Sequence, residues 1–287
     1  VKPERRKAKR AVKIWDKVRQ RRASLENRRI KVKSIGVGLR HTVLVTSIGD
    51  VWTFGDALKK QLGFDTNMMQ EEPQLLSIPK TPTEPYVVRC ASAGNFHSVL
   101  ITQCGRAFTF GQNEYGQLGH RHTKPVIKPT MVDELRKQTL LFAVCGHHHT
   151  VFLCDGNDVW ACGRGQVSGK GNPLGLGHQE NVNTPTLIVA LSSEHIVGLS
   201  AGDRHTLFLT ERRQVWVVGD NDCGQLGSDM RPQPDNNNNN SNNNHSSATS
   251  ANIYTNHDDE FNANDTNEFD ADLRTNPIRS AAANAVA

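Results

Sequence analysis

The chain is 287 residues long, 36% hydrophobic and 22% charged, with a formal net charge of +5. These proportions suit a globular domain with a real core and exclude a chain that is disordered throughout. No apolar run approaches the roughly 20 residues that a membrane-spanning helix needs, so no integral membrane span is expected.

The charge divides the chain into a basic head, a neutral body and an acidic tail. Residues 1–34 carry fifteen Lys or Arg and three acids, residues 35–234 carry seventeen and eighteen, and residues 235–287 carry two and eight. Residues 1–31 are expected to form a basic arm, helical or disordered. Ile14, Val18 and Leu25, with Ala11, make a thin apolar stripe at helical spacing, and Trp15 sits beside it. Arg5, Arg6, Lys7, Lys9, Arg10, Arg21, Arg22, Arg28 and Arg29 are the candidate nucleic-acid contacts of this arm, because clustered cations neutralise phosphates. The same composition also fits a calmodulin-like protein, an anionic membrane surface or a solvated helix.

The body holds four copies of one pattern. The first is Gly38-Leu39-Arg40-His41-Thr42, an apolar run Val43–Val45, a turn at Gly49-Asp50, then Val51-Trp52-Thr53-Phe54-Gly55. The others begin at Gly94-Asn95-Phe96-His97-Ser98, Gly146-His147-His148-His149-Thr150 and Gly202-Asp203-Arg204-His205-Thr206. Histidines 41, 97, 149 and 205 are therefore 56, 52 and 56 residues apart. Each copy reads as a β-hairpin, two apolar strands about a Gly or Asp turn. Upstream lie two more strand-like runs, such as Leu75–Ile78 and Val87–Ala91. Four strands in roughly 55 residues is the period of a propeller blade. An aromatic at one fixed place (Trp52, Phe108, Trp160, Trp216) is expected to fill the space between neighbouring blades. A glycine-rich loop follows each hairpin, clearest as Gly116-Gln117-Leu118-Gly119 and Gly224-Gln225-Leu226-Gly227, with Gln61-Leu62-Gly63 and Leu174-Gly175-Leu176-Gly177 as degenerate copies. Glycine there permits a tight turn and leucine supplies an apolar plug.

A Gly-x-x-His-Thr/Ser step into an apolar strand, followed by a Gly-Gln-Leu-Gly loop, resembles the RCC1 repeat. The resemblance covers residues 32–234. It implies an all-β, RCC1-type β-propeller of seven blades, of which about four are present, and a binding scaffold rather than a conventional enzyme. The family includes the exchange factor of the GTPase Ran, large ubiquitin ligases, a plant photoreceptor and ciliary proteins, so one fold hosts many jobs. The expected functions are regulation of a small GTPase, as a Ran-like nucleotide exchange factor associated with chromatin, or recruitment of a protein within a larger ligase or ciliary protein. The setting implied is nuclear or cytoplasmic.

After the repeats, residues 235–275 are an Asn-rich, low-complexity stretch expected to be disordered and inserted between blades. Residues 276–287 begin Asn276-Pro277-Ile278 and resemble Pro185-Thr186-Leu187-Ile188, which is read as the opening of a blade. On this expectation the chain stops just short of a fifth Gly-x-x-His.

Several motifs are set aside on chemical grounds. The four repeat histidines occupy one structural step in four blades and cannot converge on an ion. His147, His148 and His149 with Cys145, Cys154, Cys162 and His178 lack the paired spacing of a zinc site, so no metal is expected. Gly163 to Gly171 misses the phosphate-loop spacing and leads to no helix, so it reads as an enlarged basic loop. The six cysteines form no CxxC pair and suit a reducing compartment. With no nucleophile–base pair and no cofactor motif, neither a cofactor nor a small-molecule substrate is expected.

The informative positions are the two between each Gly and His. In the family's exchange factor, acids at such positions face the GTPase. Here they are Leu39-Arg40, Asn95-Phe96, His147-His148 and Asp203-Arg204, and Asp203 alone is an acid. Asp203, Arg204, His147 and His148, with Arg164 and Lys170 of the enlarged loop, are the candidate contacts for a protein partner.

Overall fold

The computed structural model describes residues 30–79, 86–165 and 171–227, and the backbone of residues 254–255. Four antiparallel sheets of four strands follow one another along the chain. The first blade contains β1 (Val32–Val37), β2 (His41–Thr46), β3 (Val51–Gly55) and β4 (Gln70–Leu76). The second contains β5 (Val88–Ala93), β6 (His97–Thr102), β7 (Ala107–Gly111) and β8 (Val126–Met131). The third contains β9 (Leu140–Cys145), β10 (His149–Cys154), β11 (Val159–Gly163) and β12 (Val182–Leu187). The fourth contains β13 (Ile196–Ala201), β14 (His205–Thr210), β15 (Val215–Gly219) and the two-residue β16 (Tyr254–Thr255). This is the all-β propeller architecture expected from the repeat.

One part of the expectation is corrected. The run at Leu75 does not open the next blade. Strand β4 pairs with β3, with Trp52 opposite Leu75, and so closes its own blade. The Pro185 run does the same, Trp160 facing Leu187. Pro73, Pro129 and Pro185 all lie in these outermost strands. A proline has no N–H for a second ladder, so an edge strand is where it is tolerated. The blades are therefore shifted by one strand relative to the sequence repeat. Residues 276–287, whose Pro277 carries the same motif, lie outside the described residues, as do residues 1–29 of the basic arm and most of the Asn-rich stretch.

The core lies between the blades. One cluster joins Val99, Ile101, Ala107, Val132 and Leu135 of the second blade to Leu140, Ala143 and Phe152 of the third, with Trp160 against it. Another joins Val43, Val45 and Val51 of the first blade to Leu100, Phe108 and Phe110 of the second. A third joins Val151, Leu153 and Val159 to Ile196, Phe208 and Trp216. Phe108, Trp160 and Trp216 thus occupy the joints, as their repeated position suggests.

The repeat histidines build these joints. His41 Nε2 is 2.8 Å from Ser98 Oγ, and Ser98 Oγ donates to the Gln61 carbonyl at 2.9 Å. His97 Nε2 is 3.0 Å from Thr150 Oγ1, which donates to the Gln117 carbonyl. His149 Nε2 is 3.0 Å from Thr206 Oγ1, which donates to the Pro173 carbonyl. Each hydroxyl has given its proton away, so each imidazole must be the donor to it. A histidine of one blade is thereby tied to the hydroxyl residue beside the next blade's histidine. The glycine three residues before the histidine makes room: a Cβ on Gly94 would stand 2.3 Å from His97 Cε1 and from the Gly146 carbonyl oxygen. Burial drives these rings toward the neutral form. Desolvation lowers the pKa of His41 to about 4 and those of His97 and His149 to about 3.

The Gly-Gln-Leu-Gly loop has a matching role. Leu62, Leu118 and Leu174 are fully buried, and the preceding carbonyls of Gln61, Gln117 and Pro173 accept the joint hydroxyls. Pro173-Leu174-Gly175 is therefore the third blade's version of the loop.

Candidate partner-binding face

The turn between the first two strands of each blade and the loop after the third open on one face. The strands fix this arrangement. Gly111 at the end of β7 adopts φ +110°, and a Cβ there would stand 2.5 Å from the Phe96 carbonyl oxygen. The backbone of the following loop therefore crosses directly beside the Gly-x-x-His turn, with Gln112 N donating to Phe96 O at 2.9 Å. Equivalent bonds join Asp56 to Arg40, Arg164 to His148 and Asp220 to Arg204.

Five of the expected contact residues come together here. His147, His148, Arg164, Asp203 and Arg204 line a dimple of about 10 Å³, with His149 and Pro173 at its base. That is room for no more than a water, so the cluster is a surface and not a small-molecule pocket. Lys170 lies outside the described residues. So do the arm residues Arg5, Arg6, Lys7, Lys9, Arg10, Arg21, Arg22, Arg28 and Arg29.

Asp203, in the fourth blade, is tied to its own turn and to those of the second and third blades. His147 Nδ1 is 3.1 Å from Asp203 Oδ1, Asn95 Nδ2 donates to the same oxygen at 3.3 Å, and Arg204 Nε is 3.6 Å from Oδ2. His147 N also donates to the Asp203 carbonyl at 3.0 Å. The one acid at the matched positions is thus surrounded by donors. The remainder is a stack of flat groups. His147 and His148 lie 3.8 Å apart at 24°, Tyr115 is 4.6 Å from His148, and the Arg164 guanidinium carbon is 4.8 Å over the Tyr115 ring. Burial, then the neighbouring His147 and Arg164, lower the pKa of His148 to about 4. His148 therefore stacks as a neutral ring at neutral pH.

The sequence placed Asn95 at a matched position without naming it a contact, and it did not single out Tyr115. Tyr115 stands between Asn113-Glu114 and the Gly-Gln-Leu-Gly loop, at a site occupied by Lys59 in the first blade and Cys223 in the fourth. Among the described residues, no group of three His, Cys, Asp or Glu side chains could hold a metal ion, and no helix is long and apolar enough to cross a membrane. All six cysteines are unpaired.

A profile of the RCC1-like domain matches residues 7–257. Among curated proteins, human E3 ubiquitin-protein ligase HERC2 is 31% identical over 200 residues, covering 69% of this chain and 4% of that protein. Human X-linked retinitis pigmentosa GTPase regulator is 39% identical over 137 residues, covering 47% of this chain and 13% of its own length. The chain thus spans a small part of these relatives. Among solved structures, human WBSCR16 superposes with a TM-score of 0.59 at 25% identity, over 69% of this chain and 50% of that one. Prp20p from Saccharomyces cerevisiae, described with its binding to Gsp1p and histones, superposes with a TM-score of 0.54 at 20% identity, over 63% of this chain and 45% of that one.

Proposed function

The chain belongs to the RCC1-like domain family, and from that premise we propose that it is a non-catalytic recognition module that holds a protein partner on its loop face. One observation carries the reading. The repeated residues are spent on the joints between blades, whereas the pair of residues between each Gly and His is a different pair in every blade and gathers on one face. A side chain used to hold blades together is constrained by its neighbours, and one facing outward is free to suit a partner. The cluster of His147, His148, Arg164, Asp203 and Arg204 with Tyr115 offers aromatic and guanidinium groups, which are enriched at the centres of protein interfaces. HERC2, a ligase much longer than the matched segment, is an example of such repeats within a larger protein.

The test uses the whole chain immobilised beside a variant with His147, His148, Arg164 and Arg204 replaced by Ala. Partner retention is expected to fall on the variant while the melting temperature holds. Equal retention by both proteins would overturn the loop-face reading.

Regulation of a small GTPase is the second reading, favoured by the similarity to the retinitis pigmentosa GTPase regulator. It requires an acid or loop that destabilises bound nucleotide. Asp203 is the one acid at the matched positions, and its carboxylate already accepts from His147 and Asn95. Accelerated loss of fluorescent GDP from a Ran-type GTPase would establish this reading, and its absence with the full-length protein would remove it. The basic arm extends either reading to chromatin. Its DNA binding should fall with salt and vanish on deletion of residues 1–29. The deletion has to stop there because β1 begins at Val32.

A further inference from the structure

The loop face carries a second feature, on the first blade. An open groove of about 440 Å³ is lined by Arg40, Asp56, Leu58, Asn67 and Met69. Its apolar walls are exposed: Leu58 is 64% and Met69 63% accessible, with Met68 and Leu39 exposed beside them. The repeat itself does not demand this. Three residues after the closing glycine of the third strand, Leu58 stands where the second blade has Glu114 and the fourth has Asp222. Met68, two residues before the outer-strand position paired with that glycine, stands where the second and third blades have Lys124 and Glu180. Leu39 stands where the others have Asn95, His147 and Asp203. The first blade thus exposes apolar side chains at positions that are polar elsewhere in the same molecule. Exposed apolar patches of this kind mark interaction sites, and methionine adapts its shape to what it contacts.

The charges around the groove identify what it fits. Lys59 pairs with Glu114 at 3.3 Å, and Lys60 with Asp65 at 3.0 Å. Asp56 Oδ1 accepts the Leu58 backbone N–H at 2.9 Å. The Arg40 guanidinium has no ion pair or hydrogen bond among the described residues, although it lines the groove with them. A guanidinium binds a carboxylate through two parallel N–H donors. We propose that the groove docks a segment of a partner protein that presents a carboxylate side chain to Arg40 and, next to it, a bulky aliphatic side chain to Leu58 and Met69. The proposal rests on the loop face being the binding face and names one part of it.

Methionine-methyl NMR tests it on the full chain, which has four methionines, Met68, Met69, Met131 and Met230. The probes are the amidated dipeptides acetyl-Leu-Asp, acetyl-Leu-Asn and acetyl-Leu-Lys. Acetyl-Leu-Asp should shift the Met69 methyl in a saturable way and leave Met131, which packs in the joint to the first blade, unmoved. Arg40→Gln should weaken that response about tenfold, the loss expected when a charged hydrogen bond goes. Leu58→Glu, which installs the acid that the second blade carries, should abolish it with the fold intact. Equal responses to all three dipeptides, or a response that survives Arg40→Gln, would overturn the proposal. Loss of the groove response with partner retention intact would reject the groove alone, and loss of retention on the histidine–arginine face would reject the wider reading instead.

Discussion

The inner blades and the end blades have the same strands and different surroundings. Strands β6 and β10 are buried along their whole length, whereas β2 and β14 alternate between buried and partly exposed positions. The four sequences are close variants of one pattern, so the difference comes from neighbours and not from propensity. A blade of this fold buries little by itself; its two faces become core when another blade lies on each side. Stability should therefore be concentrated at the joints, and the turns and loops should be left to binding.

Acid should break the joints first and most. His41, His97 and His149 have folded pKa values far below the usual histidine value, about 4, 3 and 3. Their neutral form is the folded one, so the stability they carry is complete above about pH 6.5 and is lost as pH falls toward their folded values. Each contributes a slope of about 1.4 kcal/mol per pH unit in that window, and together they give roughly 4 kcal/mol per unit. Denaturant titrations between pH 7 and 4.5 should show this fall. A profile flat across that range would contradict buried neutral histidines.

Side-chain deletion should separate the joints from the ends. Phe152→Ala, in the joint of the second and third blades, is expected to cost about 3–5 kcal/mol. Leu209→Ala, on the outer face of the fourth blade and 41% exposed, should cost less than about 1 kcal/mol. Equal costs in urea titrations would remove the distinction. His97→Ala should cost about 2 kcal/mol, since it breaks a buried bond and leaves Thr150 Oγ1 without its donor. His205→Ala should cost clearly less, because His205 has no such cross-blade bond among the described residues. The smallest effect is expected on the loop face. Asp203 is 55% exposed, and Asp203→Asn should change stability by no more than about 1 kcal/mol. A larger loss would mean that Asp203 serves the fold.

The four blades and their histidines were legible because a repeat of that length has strong local signals: glycine, histidine, an apolar strand, an aromatic. The histidine's partner was not, although the signal was present. Ser98, Thr150 and Thr206 each follow a repeat histidine, yet they bond the histidine of the preceding blade, 57 residues earlier for Ser98. Local patterns name strands without naming their neighbours. The same limit misplaced the Pro185 run, even though a proline inside a strand was a reason to set it at a sheet edge. On the loop face, the variable positions of the repeat led to Asp203, Arg204, His147 and His148, while Tyr115, Leu58 and Met69 emerged only when turns and loops distant in sequence were brought together.

Site-specific photo-crosslinking tests the central claim most directly. A benzoylphenylalanine in place of Tyr115 sits in the stacked cluster of the loop face, and one in place of Lys128 sits on the exposed outer strand of the same blade. Partner adducts are expected from position 115 and not from position 128. Adducts from position 128 with none from 115 would move the binding surface to the blade edges and contradict the division between joints that hold and loops that bind.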